Sequence, residues 1–185
     1  GRGSQVTRLD HLLVALDFDD TVTAQDCNDI LLQATTGDAW LESENAMLRG
    51  ELSRTAAFRI QFGLIHVSRE QLLDTVVRAA TLRDGFADFL HGIVERGARV
   101  IIVSDGLREA IERVWERERL PAVQIYASEL LGDAATGYDL AHNPLAFACA
   151  HCEYCKGTVI RQVLNGSRAV AVVGERVLLF PELCH

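Results

Sequence analysis

Short apolar runs recur along the chain, and polar or turn-forming residues bound each of them. They lie at Leu12 to Leu16, Val100 to Val103, Val123 to Tyr126 and Ala169 to Val173. Runs of this length are typical of buried strands. Apolar residues with helical spacing lie between the runs, over Phe86 to Val94, Leu107 to Glu118 and Gly157 to Leu164. Helices and strands that alternate in this way predict an α/β fold with an open parallel sheet.

The segment from residue 26 to residue 82 has a different pattern. Its apolar residues recur three and four positions apart, as in Ile30, Leu31 and Ala34, and no run of strand character interrupts them. We therefore predict three or four helices, inserted after the first strand as a small all-helical unit. Residues 11–25 and 83–185 then form a Rossmann-like α/β core. Glycines and a proline between residues 128 and 148 predict a hairpin or a long loop in that core.

Composition and charge restrict the function. The chain has 185 residues, of which 49% are hydrophobic and 24% charged, as is ordinary for a folded globular protein. A formal net charge of -8 argues against nucleic acid as a partner, because binding to its phosphates requires a basic face. No apolar stretch approaches the ~20 residues of a membrane helix, so we expect no membrane partner. The five cysteines are unevenly distributed, which favours a reducing cytoplasm over a secreted disulfide framework.

The first candidate for chemistry directly follows the first predicted strand. Asp17 and Asp19 place two carboxylates two residues apart, and Thr21 follows them. One carboxylate can attack phosphorus while the other donates a proton to the leaving oxygen, and an aspartyl-phosphate intermediate divides a slow hydrolysis into two transfers. Such crowded negative charge needs a hard cation, which predicts Mg²⁺. The alternative interpretation is an acidic turn that only caps the next helix.

Two further segments are candidates for binding a phosphate. Ser104, Asp105 and Gly106 follow the apolar run that ends at Val103. There the Ser104 hydroxyl and the backbone amides after it, freed by Gly106, would contact phosphoryl oxygens. Lys156 begins a predicted helix, and its ammonium group is a compact charge suited to holding a carboxylate against a phosphate. Taken singly, Ser104 would be an ordinary helix N-cap and Lys156 a surface lysine.

Together these segments resemble the haloacid dehalogenase superfamily over nearly the whole chain. In that family the first motif is Asp-x-Asp-x-Thr, the second ends a strand with Ser or Thr, and the third is a lysine. The resemblance implies Asp17 as the nucleophile and Asp19 as the acid and base. It also implies Ser104 and Lys156 as phosphate ligands, and Mg²⁺ bound by Asp17 and by the backbone carbonyl of Asp19. The second carboxylate is the form found in phosphatases.

A helical insertion between the first two motifs is similar to the subgroup that contains phosphoserine phosphatase, where the insertion is a cap. The sequence Cys152-Glu-Tyr-Cys155-Lys156 is similar to the enolphosphatases of methionine salvage within it. The resemblance therefore implies Mg²⁺-dependent hydrolysis of a small phosphomonoester, with the helical insertion as a lid. The oligomeric state stays open.

The family's fourth motif, Gly-Asp-Gly-x-x-Asp after a strand, is incomplete in this chain. Gly174 is followed by Glu175, which is the candidate for a third metal ligand, and residues 176–180 are predicted as the next strand. Either a segment is missing from this sequence here, or a real deletion impairs the metal site. The second case gives an alternative function: an impaired phosphatase-like protein that binds a phosphorylated metabolite or a protein partner.

Three charged residues are candidates for contact with the rest of the substrate. Asp26 lies nine residues after Asp17, where related phosphoserine enzymes use an acid to contact their substrate. Arg49 and Arg54 in the helical insertion could meet a second anionic group. All three could equally be solvent-facing charges on helices.

A second metal site is conceivable at Cys149, Cys152 and Cys155. This C-x₂-C-x₂-C pattern, with Cys184 and His185 near the other end of the chain, could supply four soft ligands for Zn²⁺. We favour incidental thiols at this stage, because the sequence has no second Cys-x-x-Cys pair. Cys27 has no evident partner and is predicted in the core.

Overall fold

Six strands form one sheet in the computed structural model, which describes residues 7–167, 169–174 and 177–179. The strands are β1 (Leu12–Leu16), β2 (Arg99–Leu107), β3 (Gln124–Asp133), β4 (Gly137–Ala141), β5 (Ala169–Val173) and β6 (Val177–Leu179). Their order is β4-β3-β2-β1-β5-β6. β1, β2, β3 and β5 run parallel, whereas β4 pairs antiparallel with β3 and β6 with β5. The predicted α/β fold with a mainly parallel open sheet is confirmed.

Helices connect the strands. In the described part of the chain they are α1 (Cys27–Thr36), α2 (Leu41–Leu48), α3 (Arg54–Gly63), α4 (Arg69–Ala79), α5 (Phe86–Glu95), α6 (Arg108–Arg117) and α7 (Lys156–Val163), with a short 3₁₀ turn at Gly37–Trp40. α1 to α4 follow one another without a strand, as the apolar spacing predicted. We call residues 26–82 the helical segment. An antiparallel bridge between Thr23 and Leu82 joins its two ends. The domain boundaries at 26 and 82 stay a prediction.

Among the described residues, every helix is too short or too polar to cross a membrane.

Polar side chains define where the helices of the helical segment begin. Asp26 caps α1 by accepting hydrogen bonds from the first-turn amides, and Ser53 does the same for α3. Ser68 and Gln71 form a reciprocal capping box at the start of α4. These caps satisfy amides that the helices themselves leave without partners, so the helical segment has sharply defined starts.

β1 occupies the centre of the sheet, and both of its faces are buried. Leu13 and Ala15 pack on the side covered by α7, whereas Val14 and Leu16 pack into the larger apolar cluster on the opposite side. Parallel strands pair with β1 on both edges. The pairing continues past the end of the strand, because the Asp17 amide donates to the Val173 carbonyl at 2.9 Å. The backbone of Asp17 is therefore held by the sheet.

Two strands are longer than their apolar runs. β2 continues past Val103, where the apolar run ends, through three polar or glycine residues to Leu107. Its pairing with β3 shifts register between Val103 and Leu107. β3 continues to Asp133 and turns into β4. The hairpin alternative for residues 128–148 is therefore correct up to residue 141, and a loop of residues 142–155 follows. β6 lies where the next strand was predicted after β5.

Candidate active site

A cavity of about 490 Å³ opens at the carboxyl ends of β1, β2 and β5. From β1 the chain proceeds to β2 and β3 on one side, and only later to β5 on the other. Open α/β sheets bind their ligands at this kind of switch point. The core contributes predicted site residues to the lining: Asp17, Asp19, Ser104, Asp105, Gly106 and Lys156. The helical segment forms the opposite wall.

Asp17 and Lys156 make direct contact in the cavity. The Lys156 ammonium group donates to Asp17 Oδ2 at 2.8 Å, and the Phe18 amide donates to Asp17 Oδ1 at 2.8 Å. Both side chains are about one third exposed, so they are open to a ligand. Lys156 Nζ also lies 4.0 Å from Asp105 Oδ2. Because Asp17 and Lys156 are 139 positions apart, the pair depends on the complete sheet.

Asp19 lies deeper and is held by the helical segment. Its Oδ1 accepts a hydrogen bond of 2.9 Å from the Cys27 amide, at the start of α1. Burial, and next the negative charge of Asp26, raise the pKa of Asp19 to about 7. A carboxyl group with this pKa can hold a proton near neutral pH and donate it, as general acid catalysis requires.

Ser104 and Gly106 form a compact turn beside Asp19. The Gly106 amide donates a hydrogen bond of 2.9 Å to Oγ of the buried Ser104. The Gly106 amide is therefore already engaged, contrary to the expectation that it would be available to a phosphate. The role of Gly106 is instead one of space, since a Cβ added there would lie 3.1 Å from both Asp19 Oδ2 and Ser104 Oγ. Glycine therefore leaves room for both groups beside residue 106.

The donor set of this cavity fits Mg²⁺. The Asp17 carboxylate and the backbone carbonyl of Asp19 offer the hard oxygen ligands that this ion prefers, and Asp20, Asp26 and Asp105 add further negative charge to the lining. The third predicted ligand, Glu175, lies outside the described residues. Among the described residues that follow β5, namely 174 and 177–179, none carries a carboxylate.

The candidates for substrate contact have different positions. Asp26 lines the cavity, but it is also the N-cap residue of α1. Its Oδ1 accepts hydrogen bonds from the Asn28 and Asp29 amides, at 2.9 and 3.2 Å. Arg54 lines the cavity, with its guanidinium group 3.4 Å from Asp105 Oδ2 and 5.1 Å from the centre of the Phe58 ring.

Arg49 is not brought into the cavity with the other candidates. Its guanidinium group donates to both carboxylate oxygens of Glu51, at 2.7 and 2.8 Å. Both side chains are more than half exposed. The cavity lining of the described residues contains Arg54 but not Arg49.

Several lining residues were missed from the sequence, including Asp29, Glu44 and Gln61. Partial burial and the neighbouring carboxylates of Asp26, Glu44 and Asp20 raise the pKa of Asp29 to about 6, although much of its side chain faces solvent. Gln61 is fully buried, and its Nε2 donates to Glu44 Oε2 at 2.9 Å. Its Oε1 has no hydrogen-bond partner among the residues that the structure describes. Asp29 could have been found, because it lies three positions after Asp26 on the same helical face.

The three clustered cysteines lie near one another in the loop of residues 142–155. The sulfur atoms of Cys149, Cys152 and Cys155 are all within 4.8 Å of one another. Cys184 and His185, which the sequence offered as further ligands, lie outside the described residues. Cys27 is buried in the core, as predicted.

Comparison with known proteins defines the family. Residues 14–172 match the model of haloacid dehalogenase-like hydrolases. The chain therefore belongs to the haloacid dehalogenase-like hydrolase family. A curated relative from Bacillus velezensis, 2-hydroxy-3-keto-5-methylthiopentenyl-1-phosphate phosphatase, is 27% identical over 175 residues, which cover 89% of this chain and 71% of the relative. The comparisons confirm the resemblance, including its enolphosphatase component, and the predicted enzyme class, a phosphatase.

Solved structures share the fold. A phosphoserine phosphatase from T. onnurineus is 14% identical, with a TM-score of 0.65 over 92% of this chain and 78% of its own length. A HAD family hydrolase from Salmonella enterica serovar Typhi is 20% identical, with a TM-score of 0.59 over 70% of this chain. The chain spans only 44% of the length of that Salmonella protein. At these identities the likeness establishes the fold of the α/β core.

Proposed function

We propose that this protein hydrolyses a small phosphomonoester with the help of Mg²⁺, through an aspartyl-phosphate formed on Asp17. The observation that carries the proposal is the contact between Lys156 Nζ and Asp17 Oδ2, at 2.8 Å in an open cavity at the switch point of the sheet. This contact orients the partly exposed Asp17 carboxylate and places it beside the Lys156 ammonium group, which would also attract a phosphate. The helical segment is proposed to act as the cap that covers this cavity.

In the first step, an Asp17 carboxylate oxygen forms a bond to phosphorus while the bond from phosphorus to the leaving oxygen breaks. Asp19 gives its proton to that oxygen, so the leaving group departs as an alcohol. In the second step, Asp19 takes a proton from a water molecule that attacks phosphorus, which releases inorganic phosphate and restores Asp17. Mg²⁺, held by Asp17 and the backbone carbonyl of Asp19, would offset the repulsion between carboxylate and phosphate.

The charges of the cavity support a substrate whose leaving group is not a second anion. Of the described lining residues, seven are acidic and only Arg54 and Lys156 are basic. Lys156 is proposed for the phosphate, and the Arg54 guanidinium lies near Asp105. Asp26, Asp29 and Glu44 remain on the wall of the helical segment, where they would accept hydrogen bonds from hydroxyl or amino groups.

The relative from Bacillus velezensis agrees with this expectation. Its named substrate, 2-hydroxy-3-keto-5-methylthiopentenyl-1-phosphate, carries one phosphate on a leaving group with hydroxyl, keto and methylthio substituents. In this chain Met47, Phe58 and Leu32 line the same cavity and offer an apolar surface to a thioether. A phosphomonoester with an uncharged leaving group of this kind is the proposed substrate class.

We also propose a cytoplasmic location, on the ground of the uneven distribution of the cysteines alone.

Replacement of the proposed nucleophile tests the mechanism. Asp17→Asn should abolish hydrolysis of an aryl phosphate while the circular dichroism spectrum stays unchanged, because an amide is a poor nucleophile at phosphorus. Asp10→Asn is the matched control, since that carboxylate is exposed and pairs with Arg8 on the surface. Activity of Asp17→Asn within about tenfold of the parent would remove Asp17 from the mechanism.

A panel of small phosphomonoesters tests the substrate class. The value of kcat/KM should be higher for leaving groups that are neutral or cationic than for those that carry a carboxylate, because the wall of the helical segment is acidic. A preference for anionic leaving groups would contradict this part of the proposal. Binding of inorganic phosphate without hydrolysis of any member, in the presence of Mg²⁺, would favour the alternative of an impaired phosphatase-like binding protein.

A further inference from the structure

The loop of residues 142–155 contains chemistry that the proposed reaction does not use. It joins β4 to α7 and carries three cysteines within seven residues. Their sulfur atoms converge within 4.8 Å of one another, although Cys155 is buried and Cys152 is exposed. The three cysteines lie three positions apart in a segment that is neither helix nor strand, so their convergence results from the way the loop folds.

The spacing of the sulfur atoms fits a tetrahedral metal ion. Zn²⁺ binds thiolates at about 2.3 Å, which places the sulfurs of one tetrahedron about 3.8 Å apart. Cys149 Sγ and Cys152 Sγ are 3.3 Å apart, and all three sulfurs lie within 4.8 Å. We propose that Cys149, Cys152 and Cys155 bind one Zn²⁺ ion, with the fourth position left to water or another ligand.

The backbone of the loop supports thiolate ligands. The His151 amide donates to Cys149 Sγ at 3.3 Å, a contact that stabilises negative charge on sulfur. The Cys149 amide donates to the Cys152 carbonyl at 2.9 Å, which closes the turn between these two cysteines. Each coordinating thiol gives its proton to solvent when the ion binds, so affinity should rise with pH. Sulfur ligands select zinc over magnesium, whereas the oxygen ligands of the cavity have the opposite preference.

The proposed zinc site is connected to the cavity in two directions. Cys155 is the N-cap residue of α7, and its amide donates to the Phe147 carbonyl at 2.9 Å. The next residue is Lys156, whose ammonium group contacts Asp17. On the other side, Thr55 and Ser53 at the start of α3 form hydrogen bonds with the Glu153 side chain. A bound ion would therefore fix both the start of α7 and the contact of the loop with α3.

The first experiment measures metal without reference to activity. Protein purified without chelator and dialysed against metal-free buffer should contain about one zinc per chain by elemental analysis. Cys149→Ser and Cys152→Ser should lose the ion, whereas Cys27→Ser, a buried cysteine outside the cluster, should keep it. Replacement by Co²⁺ should give a thiolate charge-transfer absorption that the first two variants lack.

Three results would overturn the zinc site. They are a folded parent protein without zinc, a disulfide between Cys149 and Cys152 in reductant-free preparations detected by intact mass, and zinc retained in both cluster variants. Because the Cys155 side chain is buried, the test relies on the more exposed Cys149 and Cys152 and includes circular dichroism of each variant.

The second experiment tests whether the ion positions Lys156, a part that rests on the proposed function. Calorimetric titration with inorganic phosphate and Mg²⁺ should show weaker binding for zinc-free Cys152→Ser than for the parent. Lys156→Ala should keep its zinc and lose phosphate affinity by about tenfold or more. Normal phosphate binding by zinc-free Cys152→Ser would exclude the positioning role. Normal phosphate binding by Lys156→Ala would instead contradict the proposed function, with the zinc result unaffected.

Discussion

Gly106 is the position where a single added methyl group should lower activity while the protein stays folded. An alanine Cβ at residue 106 would lie 3.1 Å from Asp19 Oδ2 and 3.1 Å from Ser104 Oγ. These distances are a few tenths of an ångström shorter than comfortable contacts between carbon and oxygen. The backbone of Gly106 does not have positive φ, so alanine itself is compatible with the local conformation. The expected effect is therefore a displacement of Asp19 and Ser104 and no disruption of β2.

The size of the effect follows from this displacement. A misplacement of about 1 Å can cost about 100-fold in rate, so a shift of a few tenths should lower kcat/KM by about tenfold. Overpacking of this kind costs about 1–3 kcal/mol in the free energy of unfolding, so the variant should stay folded. The assay is kcat/KM for an aryl phosphate with saturating Mg²⁺, together with urea denaturation of the same preparation.

Gly92→Ala is the matched control. Gly92 lies in α5, and a Cβ there would have nothing within 4 Å. Activity should stay unchanged, while the free energy of unfolding should rise by up to about 1 kcal/mol, because alanine is the better helix former. If Gly106→Ala retained full kcat/KM, the space that glycine leaves beside Ser104 and Asp19 would have no part in the reaction, and Ser104 would have to be removed from the predicted phosphate ligands.

Three further predictions test the site. Asp19→Asn should slow hydrolysis of an alkyl phosphate much more than that of an aryl phosphate with a good leaving group, and equal losses on both would contradict its role as the acid. EDTA should abolish turnover and Mg²⁺ should restore it, whereas Ca²⁺ should not, since its looser coordination permits bidentate binding of the attacking carboxylate; activity with Ca²⁺ would oppose this geometry. Asp29→Asn should stabilise the fold by up to about 1 kcal/mol at about pH 8 and not at about pH 4, as measured by urea denaturation. The sign follows because the pKa of Asp29 is raised in the folded state to about 6, above the ordinary aspartate value of about 3.9. The cost of ionising Asp29 in the folded protein therefore develops as the pH rises from about 4 to about 6 and is complete at about pH 8; stabilisation of equal size at both pH values would refute the electrostatic cause.

The core elements were predictable because their patterns are local. Leu12 to Leu16 and Ala169 to Val173 are apolar on both faces, and they became β1 and β5 with the same bounds. The end of β2 was not predictable, because Ser104 and Asp105 have no strand pattern. They lie where the pairing with β3 is irregular, between the pair of Val103 with Tyr126 and the pair of Leu107 with Ser128.

The candidate site was predictable on the side of the core and not on the side of the helical segment. Asp17, Asp19 and Lys156 follow or begin core elements, so the topology of a parallel sheet brings them to one edge. Glu44 and Gln61 come from α2 and α3, and their contact depends on how these two helices pack. The sequence gives the helices but not that packing. For the same reason Arg49 and Arg54 could not be distinguished, although only Arg54 lines the cavity.

The contact between Lys156 and Asp17 has a consequence for the order of folding. The two residues are 139 positions apart, and their contact requires β5 to have joined β1 and α7 to have packed on the sheet. Contacts of such long range form late, because the chain loses much entropy before they contribute. In refolding from urea, far-ultraviolet circular dichroism should therefore recover before phosphatase activity does. Catalytic activity would then serve as a kinetic reporter of the last stage of assembly, which spectroscopy of the helices cannot resolve.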